Sequence, residues 1–290
     1  NIKFHEPGAL VPAGEAWDAV STGAVDAAWY SPGFAQGIIP SAAMFTSVPF
    51  GPEAPEYLAW YYVGGGQKLW DEIAGRHKVK SILCATLPPE ASGWFRAPIK
   101  SVADLKGKKM RFFGLGASVM EKLGVSTTQL PGGEIFGALE KGAIDASEFS
   151  QPAVDKLLGF HKIVKYNYFP GWHQQATVFE LLINKDTWGK MSKGQQAIVE
   201  TTCKASMTNS IAEGESMQFP EMEQASKNGV KIRYWNDTML KTFEEAWGEV
   251  VAEKTAADPF FKKVWDDMSE FRGRYDLWEA NAFLPRAKQK

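Results

Sequence analysis

The sequence is short of the features that mark several large classes of protein. Its 4 histidines are scattered through 290 residues without metal-ligand spacing, and neither His-Glu-x-x-His nor Gly-x-Ser-x-Gly occurs. The 32 basic and 34 acidic residues are intermixed, with a net charge of -2, so no basic face for nucleic acid is expected. No apolar run approaches the length that crosses a bilayer. Hydrolase motifs, nucleic-acid partners and membrane-spanning segments are therefore not predicted.

Cysteine is equally scarce. Cys84 lies in an apolar stretch and Cys203 in a helical one, far apart in the chain. We expect buried free thiols rather than a disulfide, and a metal site would need more ligands than these two residues supply.

What the sequence does have is apolar material and aromatic rings. Hydrophobic residues make up 44% of the chain and charged residues 23%, which is typical of a globular protein with a substantial core. The length allows two domains. The 11 Trp and 18 Phe residues often stand beside Gly or Pro, and such rings on loops can line ligand clefts, although most must be core.

One pattern occurs twice. Residues 142–149 read GAIDASEF and residues 23–30 read GAVDAAWY, and each is preceded at the same distance by Gly-Glu, at 133–134 and 14–15. Glycine after a helical run ends the helix, and the apolar residues that follow predict a strand. The repeat indicates two lobes built alike, with strand ends that face a shared ligand cleft. A chance match between two ordinary helix-to-strand connectors is the alternative.

The rest of the chain predicts alternating strands and helices, then a helical final third. A short strand is expected at 2–4 and a loop at 90–94. Ser192 should cap a helix that extends to Lys227, and a strand at 230–235 should follow it. Two further helices should then reach Ala282.

Arg111 is the most specific chemical clue in the middle of the chain. It lies in a predicted strand between Met110 and Phe112, which allows apolar neighbours to pack while the guanidinium reaches the strand end. One interpretation is a bidentate clamp on a carboxylate ligand, which the planar guanidinium favours. The other is an internal salt bridge to a carboxylate such as Asp145.

Several motifs in order resemble those of the substrate-binding proteins of tripartite ATP-independent periplasmic (TRAP) transporters. Residues 104–111, DLKGKKMR, resemble the segment whose arginine binds the substrate carboxylate. Five further segments resemble the branch of these proteins that binds 2-oxo acids such as pyruvate, or lactate. They are VPFGP at 48–52, GGGQ at 64–67, GWFR at 93–96, LPGGE at 130–134 and YFPGWH at 168–173.

This resemblance implies an α/β fold of the two-lobe periplasmic binding protein type (type II-like), which closes by hinge motion and carries long C-terminal helices. The expected division is lobe I at 1–86, lobe II at 87–183, a connecting long helix and return strand at 184–235, and C-terminal helices at 236–290. Some relatives dimerise through a C-terminal helix, so a homodimer is expected. Relatives normally begin with another strand and helix before the strand that opens this sequence, so we expect that an N-terminal unit is missing here.

The resemblance also implies a periplasmic protein that hands its substrate to a TRAP membrane permease and is not an enzyme. The expected ligand is a small 2-oxo or 2-hydroxy monocarboxylate. The residues expected to contact it are Arg111, Glu90, Trp29, Tyr30, Phe149 and Trp172.

In the same branch a metal ion sits against the substrate. The implied ligands here are side-chain oxygens of Glu90 and Glu148 and the carbonyl of Phe149, with Gln174 or Gln175 as a further ligand. Phe149 replaces the usual Trp, which makes the pocket wall smaller but keeps a backbone carbonyl.

Glu90 stands where Gln is usual, and this changes the charge of the expected site. A monocarboxylate, Glu148 and Glu90 bring three negative charges against the single positive charge of Arg111, so calcium is favoured over sodium. The alternative is a Glu90 that is protonated or that bonds a donor on a different ligand.

Two other functions stay open from the sequence. A metal-dependent lyase or hydrolase acting on small carboxylic acids would use Glu90 and Glu148, and His173 is its candidate base. A ligand-sensing protein would use the same cleft with a different partner.

Overall fold

The computed structural model describes residues 2–284, which form two β-sheets with helices packed around them. The strands are β1 Ala27–Tyr30, β2 Val79–Leu87, β3 Gly93–Phe95, β4 Lys109–Arg111, β5 Ser126–Thr128, β6 Ala146–Ser147, β7 Tyr166–Phe169, β8 Thr177–Asn184 and β9 Lys231–Tyr234. One sheet has the order β1-β8-β2 and the other the order β5-β4-β6-β3-β7-β9. The predicted α/β class is confirmed.

The helices range from short connecting turns to a helix of 35 residues. They are α1 Ala16–Thr22, α2 Ala54–Ala59, α3 Gly66–Arg76, α4 Gly114–Lys122, α5 Gly132–Glu140, α6 Pro152–Leu157, α7 Lys185–Lys190, α8 Lys193–Lys227, α9 Asp237–Ala257 and α10 Pro259–Ala282. A π-helical turn, Trp60–Gly64, joins α2 to the region of α3. Within residues 2–284, no helix combines the length and apolar character needed to cross a membrane.

The repeated pattern produces the same local structure in both sheets. Helix α1 ends at Gly23, which is left-handed with φ 81°, and β1 follows. Helix α5 is followed by Gly142 with φ 69°, and β6 comes next. Glycine adopts this conformation without the steric cost that a Cβ would add, which is why the two connectors share it.

Two strands cross between the parts of the chain that the sequence assigned to separate lobes. Strand β8 lies within 87–183 but pairs antiparallel with β1 and β2 of the three-stranded sheet. Strand β9, from the connecting segment, pairs in parallel with β7 of the six-stranded sheet. The predicted division of the chain at residues 87, 184 and 236 stays a prediction. Residue 1 and residues 285–290, which it includes, lie outside the described part of the chain.

Helix α8 packs along β2 and also reaches α6. Ser192 forms a capping box with Gln195 at its start, as predicted. Because β2 and α8 lie side by side, Cys84 and Cys203 meet and form a disulfide across 119 residues of sequence. The prediction of free thiols was therefore wrong, since no local pattern reveals which helix covers which strand.

One shorter prediction was also wrong, and another was right only in part. Residues 2–4 form no strand; Ile2 is 96% and Phe4 76% exposed, and neither packs against a sheet. The stretch predicted as a loop at 90–94 runs into β3, which pairs with both β6 and β7. Such a short strand is stabilised by its two neighbours rather than by its own sequence pattern.

Most of the tryptophans are core residues. Trp17, Trp60 and Trp70 are fully buried in the same large apolar cluster, which also includes residues of α9 and α10. Helix α10 is fastened to the α2 region by a hydrogen bond from Trp60 Nε1 to Asp267 Oδ1, at 2.7 Å. Its far end presents Leu277 and Trp278, 75% and 61% exposed, to the outside.

Candidate ligand and cation site

The candidate site begins where two neighbouring parallel strands end. Strands β4 and β6 pair in parallel, with Arg111 opposite Ser147, so the residue after Ser147, Glu148, emerges beside Arg111. Carboxyl ends of parallel strands form the usual ligand crevice of an open α/β sheet. Both side chains are buried, with Arg111 2% and Glu148 0% exposed.

Arg111 and Glu148 form a close ion pair. Arg111 Nη1 donates to Glu148 Oε2 at 2.9 Å and to the Glu148 carbonyl oxygen at 2.9 Å, while Nε donates to the carbonyl of Leu130 at 3.2 Å. The salt bridge to Asp145 considered from the sequence does not form, because Asp145 Oδ2 instead accepts from the backbone N–H of Lys109 at 2.8 Å. The guanidinium is thus held in place by oxygens on two sides.

Glu90 follows β2 and reaches the same place from the other direction. Its Oε1 accepts a hydrogen bond from Thr177 Oγ1 at 2.8 Å, and its backbone N–H donates to the Gln174 carbonyl at 3.1 Å. Gly171 lies so close to this backbone that a Cβ there would be 2.1 Å from the Glu90 carbonyl oxygen. Glycine is therefore required at 171 for the loop to approach Glu90.

His173 completes a buried cluster with the two acids. One ligand atom from each of Glu90, Glu148 and His173 lies within 4.8 Å of the others, and all three residues are buried. His173 Nε2 is 3.5 Å from Glu148 Oε1. From the sequence His173 entered only as a candidate base; its adjacency to Gln174 was the available signal for a place in this cluster.

The two acids differ in their protonation behaviour. Burial, together with the nearby charge of Glu148, raises the pKa of Glu90 well above its usual value, and the Thr177 hydrogen bond only partly opposes this. Burial also disfavours ionised Glu148, but Arg111 and His173 outweigh it and lower the pKa of Glu148. Burial and the neighbouring charges therefore favour the ionised form of Glu148 and the protonated form of Glu90.

Three oxygens at the site are buried and have no hydrogen-bond partner among the described residues: Glu90 Oε2, Glu148 Oε1 and Gln174 Oε1. Buried polar atoms are nearly always satisfied, so orphaned acceptors grouped in one place indicate a missing donor or cation. Carboxylate and amide oxygens are the ligands that hard cations such as calcium prefer. These residues therefore fit a metal ion.

Phe149 and Gln175 lie next to this cluster. The Phe149 ring faces the Arg111 guanidinium, with the Arg111 carbon Cζ 4.9 Å from the ring centroid. Gln175 donates from Nε2 to the Gly171 carbonyl at 2.7 Å, which turns its amide toward the loop. Gln174, rather than Gln175, thus carries the unpartnered oxygen.

The predicted aromatic walls take three different positions. Trp172 is buried and packs between Phe50 and Phe243 at ring-centroid distances of 5.7 and 5.0 Å. Tyr30 is 3% exposed and belongs to the main apolar cluster. Trp29 is 54% exposed and stacks on Phe179 at 6.2 Å. The contacts of Tyr30 and Trp172 are therefore those of core residues, and Trp29 faces outward.

The lobes meet directly above the site. The rings of Phe34, from the segment after β1, and Phe113, from the end of β4, are 5.0 Å apart and nearly perpendicular. A Cβ on Gly33 would lie 2.5 Å from the Phe113 ring, so this approach requires glycine. The backbone N–H of Phe50 also donates to the Trp172 carbonyl at 2.7 Å. Segments that follow strands of the two sheets are thus in direct contact at these residues.

Comparison with known proteins identifies the family. Residues 1–258 match the family described as DctP, bacterial extracellular solute-binding protein, family 7. The chain belongs to this family. A DctP-family relative, the monocarboxylate 2-oxoacid-binding periplasmic protein all3028 of Nostoc sp., is 33% identical over 271 residues, which cover 93% of this chain and 74% of the relative.

Solved structures of TRAP solute-binding proteins share the fold closely. A TRAP transporter solute-binding protein from Bordetella bronchiseptica, a mixed-occupancy dimer with calcium and picolinate in one active site, has a TM-score of 0.95 and 30% identity, covering 97% of this chain and 84% of its own. One from Pseudoalteromonas atlantica with sodium and pyruvate has a TM-score of 0.89 and 30% identity, covering 93% and 82%. One from Colwellia psychrerythraea with calcium and pyruvate has a TM-score of 0.88 and 29% identity, and the match covers 92% of this chain and 82% of that one.

Membership of the DctP family decides several of the sequence-based predictions. The chain is a TRAP-type substrate-binding receptor and not an enzyme. It is extracytoplasmic, and the two-lobe fold predicted for it is confirmed. TRAP-type receptors work with a membrane permease, so the predicted class of protein partner is confirmed as well.

Proposed function

We propose that this DctP-family protein captures a small 2-oxo or 2-hydroxy monocarboxylate, such as pyruvate or lactate, together with a calcium ion, and delivers it to a TRAP permease. The observation that carries the proposal is the group of three buried, unpartnered oxygens from Glu90, Glu148 and Gln174 beside the buried guanidinium of Arg111. Oxygens without donors supply a cation site, and the guanidinium supplies a partner for a carboxylate.

The roles of the residues follow from their chemistry. Glu90, Glu148 and Gln174 would hold the metal through side-chain oxygens, and the Phe149 carbonyl remains the fourth proposed ligand. The bound metal would neutralise the acids and attract the substrate's oxygens. Arg111 would bind the substrate carboxylate through Nη2, because its hydrogen bonds within the protein use Nε and Nη1 and leave Nη2 without a hydrogen-bond partner among the described residues.

Charge favours calcium over sodium. A monocarboxylate with ionised Glu90 and Glu148 has three negative charges, and Arg111 offsets one of them, which leaves two for a divalent ion to balance. Two of the solved relatives were found with calcium, bound with picolinate or pyruvate, and one with sodium and pyruvate, which supports a metal-and-carboxylate site of this kind.

Calorimetric titration with pyruvate tests this directly. The metal-stripped protein would be titrated in chelator, in sodium and in calcium, with lactate and a neutral analogue such as acetone as ligand controls. We expect affinity of about micromolar in calcium, near -8 kcal/mol, weaker binding in sodium and little in chelator. Equal pyruvate affinity in all three buffers would contradict the metal role, and equal affinity for acetone would contradict the carboxylate role.

We further propose that the protein is a homodimer that uses the end of α10. Leu277 and Trp278 are large apolar side chains exposed at 75% and 61% there, and the Bordetella relative was described as a dimer. Light scattering after size exclusion would give twice the chain mass of 32.1 kDa, and a Leu277→Glu, Trp278→Glu variant should elute as a monomer. A monomeric wild type would rule the dimer out.

A further inference from the structure

A chain of hydrogen bonds runs behind the acids of the proposed cation site. Gln174 Nε2 donates to Thr177 Oγ1 at 2.7 Å, and Thr177 Oγ1 donates to Glu90 Oε1 at 2.8 Å. All three residues are buried, each 3% exposed. The polar groups in this chain are therefore shielded from water, and each depends on the next for its partner.

The direction of the chain is set by the chemistry of its members. The Thr177 hydroxyl has a single proton, and Glu90 Oε1 receives it. The hydroxyl oxygen must then accept from Gln174, which requires the amide NH2 rather than the amide oxygen to face Thr177. As a result Gln174 Oε1 points away from Thr177, as does Glu90 Oε2, and these are two of the three unpartnered oxygens at the site.

We infer that Thr177 is the positioning residue of the cation site: through one hydroxyl it orients both the Glu90 carboxylate and the Gln174 amide so that an oxygen of each faces the cation. This inference rests on the proposed function. It adds a residue that touches neither the cation nor the carboxylate ligand but determines how well two cation ligands are preorganised.

Thr177 lies where the ends of two paired strands meet. Thr177 begins β8 and pairs with Leu87, the last residue of β2, while Glu90 lies three residues beyond Leu87. The segment after β2 leads to β3 of the six-stranded sheet, and β8 follows β7 of that sheet. The Thr177–Glu90 bond therefore joins the start of β8 to the segment that follows β2.

The test is to remove the hydroxyl and measure calcium binding. Thr177→Val keeps the branched shape of the side chain but removes the hydroxyl. Thr177→Ala removes both the hydroxyl and the branch, and Thr177→Ser retains the hydroxyl. The matched control is Thr86→Val on the paired strand β2, because Thr86 is equally buried but its Oγ1 has no hydrogen-bond partner among the described residues. Calcium chloride would be titrated calorimetrically into each metal-stripped protein, with and without saturating pyruvate, and melting curves would be recorded.

We expect the calcium Kd to rise at least tenfold in Thr177→Val and Thr177→Ala, a loss of about 1.4 kcal/mol. Thr177→Ser and Thr86→Val should stay within threefold of the wild type. Pyruvate affinity at saturating calcium should change less than calcium affinity does, since Thr177 is not a substrate contact. If Thr177→Ser keeps the calcium affinity of the wild type, a general loss of stability does not explain the weaker calcium binding of the other two variants.

Three results would overturn the inference. Calcium affinity unchanged in both hydroxyl-deleted variants would show that Thr177 does not position the ligands. Equal losses in Thr177→Ser and Thr177→Val would assign the effect to the methyl group or to packing. A wild type that binds no calcium, with or without pyruvate, would refute the proposed function, and the inference with it; the wild-type titration and the variant-to-wild-type ratio thus separate the two failures.

Discussion

Arg111 donates from a single nitrogen, Nη1, to both the side-chain Oε2 and the backbone carbonyl of Glu148, each at 2.9 Å. The acid proposed to hold the cation therefore also holds the arginine proposed to bind the substrate. Both groups are buried, so neither could be removed without leaving the other charge unpaired. Binding and stability are coupled through this pair.

Replacement of Arg111 should affect both properties. We expect Arg111→Ala to abolish measurable pyruvate binding and to lower the free energy of unfolding by about 3 to 5 kcal/mol, because Glu148 loses its buried partner. Arg111→Lys should keep part of the stability but bind pyruvate at least 30-fold more weakly, since an ammonium cannot hold Glu148 and Leu130 and also present a second nitrogen to the substrate. Calorimetry and urea unfolding would measure the two effects.

The control for the Arg111 variants is Arg233→Lys, at an exposed position on β9. It should leave both pyruvate affinity and stability unchanged. Full pyruvate affinity in Arg111→Lys would mean that only the positive charge of this side chain matters for binding.

Glu90→Gln should change the choice of cation. The substitution removes one negative charge from the site but keeps an oxygen at the same position, so the remaining charge suits a monovalent ion better. We expect calcium affinity to fall by about tenfold or more and sodium to support pyruvate binding relatively better. Titrations of pyruvate in each salt would reveal the change in rank.

An exposed acid on α9 offers the comparison for Glu90. Glu249→Gln makes the same change in net charge away from the site and should leave the order of the two salts unaltered. If Glu90→Gln retained wild-type calcium preference, the charge argument for calcium would be wrong.

Glu180 should make the stability of the protein depend on pH. This acid is fully buried beside Trp70 and Ser81, and burial raises its pKa to about 8, although hydrogen bonds from both neighbours oppose the shift. In the unfolded chain the glutamate ionises near the ordinary pKa of 4.5. Between these values the unfolded state has already released the proton and the folded state has not, so stability falls as pH rises and levels off above about 8.

The isosteric variant Glu180→Gln should remove that slope. At about 1.4 kcal/mol per pKa unit, the shift of the Glu180 pKa from 4.5 to about 8 would lower the stability of the wild type by about 5 kcal/mol by pH 9. The stability of the variant relative to the wild type should therefore rise progressively between about pH 5 and pH 9. Urea unfolding at several pH values would measure this. Parallel pH profiles for the two proteins would exclude Glu180 as the source of the slope.

Reduction of the disulfide should destabilise the protein more than a typical surface change. Cys84 and Cys203 close a loop of 119 residues, for which the loss of chain entropy in the unfolded state corresponds to about 4 to 5 kcal/mol. We expect a lower melting temperature in reductant and in the Cys84→Ser, Cys203→Ser double variant. Reductant should have no further effect on the double variant, and thiol titration of the unfolded wild type should detect no free thiol before reduction.

A good part of this fold is readable from local chemistry. Gly23 and Gly142 end their helices in left-handed conformations, and Ser192 and Asn236 cap the helices that follow them, as their residue types predict. Each depends on backbone groups within a few residues, so the sequence contains all the information that is needed. The α/β class and the long C-terminal helices followed from such signals.

The candidate site was only partly readable in this way. Arg111, Glu90 and Glu148 were singled out from the strand pattern and from family motifs, and the structure brings them together with Gln174. Thr177 has no motif of its own. Its importance appears only when β8 places its hydroxyl between Glu90 and Gln174.

The sequence by itself therefore determined much of the secondary structure, the paired helix-glycine-strand units and the family, because these depend on residues close together in the chain. Tertiary structure alone decided that β8 joins the first sheet, that Cys84 meets Cys203, and that Thr177 lies behind the acids. Each of those contacts joins residues from distant segments. Which segments meet is set by the burial of the whole apolar core rather than by any local preference.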